Sequence, residues 1–335
     1  MSHEITKTAG KNEMAYAGEK PWHGLGQELP EGASIEEWKI AAGMQWKIQR
    51  SKVRYVTERG AASELEMPDQ HVLFRSDTKA ALSIVSERYK VVQPGEALEF
   101  FRELTISEGY KLETAGTLFG GKKFWALAKV AEGLEVGRGD KINPYLLFAS
   151  SCDGSLGTTI DKTAVRVVCN NTISMALSAK SAQRVVVSHR TKITDERLRE
   201  IKSNMGLVRG EFVRFAEAAK LLSRVNVTDR DARSFVLDLL SPKLDGMTAK
   251  EATEATDKTR DSRGFQAIVR LFNGEAMGSS LQGVKGTAWG LLNSVTEYVD
   301  HGTQARSDSS RLDSAWFGAG DTLKTRTLEK LLTLA

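Results

Sequence analysis

Asp153, Asp161, Cys169 and His189 are the residue types in the middle of this chain that could do covalent or metal-assisted chemistry. Two carboxylates near a strand end could hold a magnesium ion, and a cysteine with a histidine could serve as nucleophile and base. Each also has a plainer reading. Asp153 opens the Asp-Gly pair of CDGSLG and fits a turn, and Cys169 ends the apolar run AVRVVC, where a free thiol behaves as a small buried hydrophobe. The chain has no phosphate-cradling GxxxxGK(S/T), no GxGxxG after a strand, no HExxH and no zinc-type Cys/His spacing.

A second chemistry is electrostatic. Between Asp161 and Asp195 there is no carboxylate, yet the stretch carries Lys162, Arg166, Lys180, Arg184, Arg190 and Lys192, with Asn170, Asn171, Thr172 and His189 among them. The whole-chain charge of +4 hides this asymmetry, because Lys162 to Arg233 holds 15 Lys/Arg against 7 Asp/Glu. Such a run suits an anion, above all a phosphate backbone, although a solvated helix face would carry similar charges. Lys and Arg would neutralise phosphates while Asn, Thr or backbone N–H groups fix the path of the strand. The run contains no aromatic residue, so base stacking would have to come from Trp46, Tyr55, Phe119 or Trp125.

The elements that must position these groups follow from spacing. Ser34 and Glu37 predict a capping box and a short helix. Trp46 to Val56 alternates, with Lys52 and Arg54 on one face, as a half-buried strand with a basic outer side. Strand-like runs follow at His71–Arg75, Ala81–Val85 and Tyr89–Val92, then Pro94-Gly95 introduces a helix with Leu98, Phe101 and Leu104. Gly120-Gly121 between apolar runs predicts a hairpin with positive φ at both glycines. Tyr145–Ser150 and Ala164–Cys169 read as strands, and Asn170 or Asn171 as the cap of a further helix.

Beyond residue 193 the period changes. Leu198, Ile201, Met205, Val208, Phe212, Phe215, Ala219 and Leu222 form a heptad of roughly 40 Å at about 1.5 Å per residue, open both to packing within the chain and to a second copy. Thr228 with Asp231 and Thr248 with Glu251 predict helix starts, and Pro242 a stop. Glu297, Tyr298, Asp300 and His301 read as an exposed helix end, Trp289 as a core or interface anchor, and Gly274 to Gly286 as mobile or closely approached by backbone. The expected organisation is α+β: an irregular N-terminal arm over 1–33, an antiparallel sheet with crossing helices over 34–192, and a helical region over 193–335.

At 335 residues, 41% hydrophobic and 27% charged, the chain can bury a full core. No run of about 18 apolar residues offers a membrane span, and the polar start lacks a secretory stretch. Cys152 and Cys169 are too few for a disulfide scaffold. A cytoplasmic setting is expected.

The segments PWHGLG, SIVSERYKVVQPGEALEFF, AGTLFGGKKFWALAKV, SSCDGSLGTTI, AVRVVCNNTISMAL, SHRTK and GTAWGLLNSVTEYVDH occur in this order. Together they resemble the phage/plasmid-like family built on domain of unknown function 932, over Trp22 to about His301. The resemblance implies a mobile-element role such as DNA metabolism, replication support or counter-defence. It singles out Arg88, Tyr89, Asp153, Gly154, Ser155, Arg166, Asn170, Asn171, His189 and Arg190 as signature positions, and supplies no catalytic residue. In outline, the order of a short helix, a tryptophan-bearing strand, a sheet and a crossing helix is similar to that of single-strand annealing recombinases, an analogy at the level of fold.

The expectation is a non-enzymatic, oligomeric single-stranded DNA-binding or annealing protein supporting recombination or replication, without a cofactor. Lys52, Arg54, Lys162, Arg166, Arg184, Arg190 and Lys192 would meet phosphate, with Asn170, Asn171 and His189 adding hydrogen bonds. The alternatives are a phosphate-cleaving enzyme using Asp153, Asp161 and His189 with magnesium, and a counter-defence protein that meets an acidic host partner.

Overall fold

The computed structural model describes residues 5–18, 21, 24–57, 64–166, 171–174, 184–191, 196, 208–242, 246–304 and 314–335, with the backbone alone for 166, 171–174, 208 and 209. The N-terminal segment expected to be irregular supplies four strands: β1 (Lys7–Thr8), β2 (Lys11–Asn12), β3 (Met14–Ala17) and β4 (Gln27–Leu29). All four residues of β3 are buried, so it lacks the alternation of a one-sided strand, and periodicity gives no signal there. Of the two anchors expected in this segment, Leu25 is half-buried and Trp22 lies outside the described residues.

Ser34 and Glu37 close the expected capping box, with Ser34 Oγ accepting the Glu37 N–H at 3.2 Å and the Ser34 N–H donating to Glu37 Oε2 at 2.7 Å. This opens α1 (Ile35–Ala41), which buries Trp38. Next, β5 (Ile48–Val56), β6 (Glu64–Arg75) and β7 (Ala81–Ser86) form an antiparallel three-stranded sheet with β6 in the middle. Tyr89 to Val92, read as a strand, is a connection without a ladder. The chain turns there into α2 (Pro94–Ser107), which Gln93 and Glu96 cap, and which buries Leu98, Phe101 and Leu104 as their spacing predicts.

Helix α2 packs on β8 (Lys111–Leu118) and β9 (Lys123–Lys129). Gly120 and Gly121 join these strands with φ of 70° and 97°, the positive values expected, and Phe119 shares the turn at 56°. Gly121 is doubly constrained, because a Cβ there would stand 2.6 Å from Cζ2 of Trp46.

The remaining strands are β10 (Leu134–Gly137), β11 (Asp140–Ser151), β12 (Thr158–Arg166), β13 (Asn171–Ser174) and β14 (Val185–Val187). The antiparallel pairing of β12 with β13, from Thr163 opposite Ser174 to Arg166 opposite Asn171, overturns the helix expected to start at Asn170 or Asn171. A strand partner satisfies the backbone there, and β-branched Thr172 and Ile173 suit the ladder. Asn170 itself lies outside the described residues.

The helices that follow are α3 (Val208–Leu222), α4 (Asp229–Leu240), α5 (Ala249–Arg260), α6 (Arg263–Arg270), α7 (Ala288–Glu297) and α8 (Ala319–Leu332). Thr228 and Thr248 cap α4 and α5 through Asp231 and Glu251 as predicted, and α4 stops just short of Pro242. On α3, the heptad positions Phe212, Phe215, Ala219 and Leu222 are buried, so this part of the seam serves the chain's own core; Leu198, Ile201 and Met205 lie outside the described residues. All ten residues of α7 are buried. The Gly274–Gly286 region forms turns, and the backbone carbonyl of Gln282 would meet a Cβ on Gly137 at 2.2 Å.

The architecture is α+β, with antiparallel sheets in the N-terminal half and helices mostly in the C-terminal half. It forms two compact units that do not follow chain order. One comprises Met1–Val130, Tyr145–Asp161 and Arg184–Val208; the other comprises Ala131–Pro144, Lys162–Gln183 and Arg209–Ala335. In the first unit, β11, β9, β8 and β3 are antiparallel neighbours, β3 is parallel to β4, and β14 pairs with the beginning of β12. In the second, β10 pairs with the beginning of β11 and β13 with the end of β12, beside helices α3 to α8. Among the described residues no helix is long and apolar enough to cross a membrane.

Candidate functional site

Most of the cations expected on a polyanion face are held by carboxylates. Lys162 forms a 2.7 Å ion pair with Glu211 and is buried. Arg184 reaches Asp161 Oδ2 through Nη2 at 2.6 Å and Nε at 2.7 Å. On the β5–β6 hairpin, Lys52 pairs with Glu66 at 2.6 Å, and Arg54 with Glu64 and Glu66, both at 3.4 Å. Arg166 and Asn171 face each other on the β12–β13 ladder. Lys180 and Lys192 lie outside the described residues. Arg190 remains exposed.

Of the groups considered for catalysis, the described ones, Asp153, Asp161 and His189, are likewise engaged. Asp161 accepts from Arg184. Asp153 Oδ1 accepts the Ser155 N–H at 2.9 Å and the Ser155 hydroxyl at 2.5 Å, closing the turn that its Asp-Gly pair suggests. Burial pushes the Asp153 carboxyl up, but hydrogen bonds from Ser155 and Ser151 and the Lys123 ammonium together hold it below its ordinary value. Burial, with the Asp153 charge beside it, pushes the Cys152 thiol up to about 12, which disfavours the thiolate that a nucleophile needs. Cys169 lies outside the described residues. Of the proposed stacking platforms, Trp46 and Trp125 are buried and Tyr55 is exposed. Trp46 lies under the Arg75 guanidinium at 4.2 Å, and Phe119 has the Lys123 ammonium 5.5 Å from its ring centroid.

What the fold does bring together is the set of signature segments SERYK, SSCDGSLG and, as far as Thr191, SHRT, all within the first unit. The turn after β7 carries Tyr89, the loop between β11 and β12 carries Asp153 to Leu156, and the turn after β14 carries His189. The His189 ring stacks on Tyr89, with centroids 4.6 Å apart and planes at 17°. The Tyr89 hydroxyl donates to the Ser151 carbonyl at 2.9 Å, and burial pushes this phenol up, so it keeps its proton. The backbone of His189 accepts the Lys90 N–H at 2.5 Å, locking the turn of Arg190 to the segment of Arg88 and Lys90. Arg50, on β5, donates to the Tyr89 carbonyl at 2.7 Å.

Four cations belong to the segments that carry this partly buried stack: Arg88 and Lys90 flank Tyr89 in sequence, Arg190 follows His189, and Arg50 bonds the Tyr89 carbonyl. Arg50, Arg88, Lys90 and Arg190 are all exposed, and none forms an ion pair with a carboxylate among the described residues; Glu87 is the one acidic residue within SERYK. Arg88 and Arg190 are signature positions, whereas Arg50 and Lys90 are not among the expected contact residues. Arg50 shares the alternation of Lys52 and Arg54, and Lys90 adjoins Tyr89, so both could have been found by following those signals one step further. Chemically, the rim can neutralise several phosphates without reading bases.

A family model described as "Domain of unknown function (DUF932)" matches residues 81–316, most of the chain, and the chain belongs to that family. No curated protein and no solved structure matches it. Three of the four rim cations, together with Tyr89 and His189, fall within the matched residues; Arg50 falls before them.

Proposed function

We propose that this DUF932 member is a non-enzymatic single-stranded nucleic-acid-binding protein with DNA as its polyanion, acting in strand annealing for a phage or plasmid. The observation that supports this reading is the rim of Arg50, Arg88, Lys90 and Arg190, exposed and without carboxylate partners among the described residues. It replaces the longer basic run as the contact surface, since Lys52, Arg54, Lys162 and Arg184 are neutralised by their own ion pairs. Annealing needs a surface that grips the backbone and leaves base edges free, and a rim of guanidinium and ammonium groups does that. Several copies along one strand would add the weak contacts by avidity.

Anisotropy of a labelled oligonucleotide tests the proposal. Each phosphate neutralised on a single strand contributes about −0.7 to the slope of log affinity against log salt, so up to four contacts give roughly −2 to −3. Charge reversal at Arg88 and Arg190 together should flatten that slope and weaken binding. Affinity indifferent to salt, or unchanged by the double reversal, would overturn backbone contact at this rim. Capture of an acidic protein with no affinity for oligonucleotide would shift the reading to counter-defence.

A further inference from the structure

In the three-stranded sheet of β5, β6 and β7, directly opposed residues share a face and neighbours along a strand alternate, so the register sorts the side chains into two sides. One side holds Arg50 opposite Leu73, Lys52 opposite His71 and Arg54 opposite Glu66. Leu73 and Val85 are buried there, and Ser83, opposite Leu73, donates to the Cys152 carbonyl at 2.5 Å. This is therefore the side that packs on the first unit, and every charged ladder position of the three strands falls on it.

The outer side holds Tyr55 opposite Leu65, Gln49 opposite Phe74, and Val72 between Ser51 and Ile84. None of these positions is charged. A sheet with one face on a core ordinarily alternates apolar inside and polar outside, whereas here the apolar residues continue on the outside. Ile84 is 62% exposed, Tyr55 48% and Leu65 43%, and Met67, beside Leu65 where the register shifts, is exposed as well. A contiguous apolar patch of this kind marks an interaction surface.

We propose that this outer face docks a second copy of the chain, packed sheet on sheet about a two-fold axis. A neutral apolar face is its own complement: the axis lays the patch of one copy on that of the other and buries no charge from the ladder. A nucleic acid would find no cation on the ladder there, since Arg50, Lys52 and Arg54 stand on the opposite side. The size fits too. Strands of 9, 12 and 6 residues, at about 3.4 Å per residue and about 4.8 Å between strands, offer roughly 440 Å² of flat sheet. Its corrugated accessible surface is larger and approaches the about 800 Å² per partner of a standard interface. Lys79, 6.0 Å from the Phe74 ring centroid, borders the patch at one end as a polar rim. Pairing of two β5 edges is the poorer alternative, because the fully overlapped two-fold register sets Lys52 against Lys52 and Arg50 against Arg54, like charges directly opposite. The proposal does not rest on the nucleic-acid reading.

Sedimentation equilibrium of the full chain without oligonucleotide, at about 1–100 µM, tests it. The mass should rise from one copy toward two, and the association should hold or tighten as salt is raised, because apolar burial is not screened. Ile84→Lys should weaken association at least about a hundredfold by burying an unpaired charge. Val56→Lys is the control: Val56 is 60% exposed on the same sheet but on the charged side, opposite Glu64, and its replacement should leave the mass unchanged. A single-copy mass at every concentration overturns the proposal, as does a dimer that survives Ile84→Lys or comes apart as salt rises. If Ile84→Lys does not fold, Tyr55→Ser carries the comparison. Weaker association in that variant supports the proposal, while an unchanged mass with weaker oligonucleotide binding assigns the face to nucleobases and overturns it. A salt-resistant dimer without affinity for oligonucleotide leaves the proposal standing and counts against the nucleic-acid reading alone.

Discussion

Lys162 and Glu211 are joined by a 2.7 Å ion pair in which 6% of the lysine side chain and 19% of the glutamate side chain remain exposed. The first cation of the carboxylate-free stretch is thus satisfied by a carboxylate 49 residues further on. Lys162→Met leaves Glu211 charged, largely buried and without its partner among the described residues, and should cost about 2–4 kcal/mol in urea unfolding. Combining it with Glu211→Leu removes both charges and should recover most of that loss. Oligonucleotide affinity of the double variant should equal that of the natural chain, because this lysine faces the interior and not the rim.

The clasp between α1 and α2 predicts an acid response. Arg102 hydrogen-bonds Glu99 and Glu36, and Lys39 also pairs with Glu99. The Arg102 guanidinium, helped by Lys39, outweighs burial and holds the Glu99 carboxyl down at about 2, against its ordinary 4.5. Because the folded form binds this proton less readily than the unfolded chain, the stabilisation is present above 4.5 and is lost as pH falls toward about 2. Melting temperature should drop between about pH 5 and about pH 3 less steeply in Glu99→Gln than in the natural chain. The difference should be small, since the pair is partly exposed.

Cys152 is fully buried and its sulfhydryl faces the Lys122 carbonyl at 3.4 Å. With the thiol pushed up to about 12, almost no thiolate exists near neutrality. Alkylation of Cys152, read by peptide mass after digestion, should be slow in the native protein and fast in denaturant. Equal rates in both would show that the loop after β11 opens freely.

Local signals were legible in the sequence and non-local ones were not. The pairs Ser34–Glu37, Thr228–Asp231 and Thr248–Glu251 could be read because donor and acceptor lie three residues apart, and Gly120-Gly121 because a tight hairpin demands positive φ. Asn171 carries the same kind of local cue, but a ladder with β12 overrides it. Glu297 and Asp300, read as an exposed helix end, are instead engaged inside the helical unit. Glu297 accepts the Met277 N–H at 3.0 Å and Asp300 holds the buried Lys324 at 2.9 Å, partners that no spacing announces. For the site, the family resemblance singled out Tyr89, Asp153 and His189, while their convergence depends on which loops the sheet brings together.

The turn joining β8 and β9 predicts a steep backbone effect. Gly121 combines a φ of 97° with a ring atom of Trp46 2.6 Å from where a Cβ would stand. Gly121→Ala therefore meets conformational strain and a clash with the side chain that carries Arg75 over its face. The expected loss is about 2–4 kcal/mol in denaturant midpoint measurements. Gly120→Ala, where φ is 70° but nothing lies within 4 Å, should cost only about 1 kcal/mol, so the difference between the two isolates the contact from the dihedral.

The two basic faces of the first unit make opposite predictions, and comparing them separates a true contact surface from a coincidence of composition. Lys52 and Arg54 are exposed like the rim cations but share the hairpin with Glu64 and Glu66, so the four charges sum to zero within one patch. Exposed pairs of this kind contribute little to stability, and from beyond a Debye length of about 8 Å they present almost no field to a phosphate. Replacing all four by Gln should leave both oligonucleotide affinity and its salt slope unchanged. Replacing Arg50 and Lys90 by Gln removes two charges that no carboxylate among the described residues balances, and should lower affinity while reducing the magnitude of the slope by about 1.4, or 0.7 for each lost phosphate contact. If the hairpin set instead carries the larger effect, nucleic acid is gripped along β5 and β6, and the rim around His189 is a structural feature of the fold.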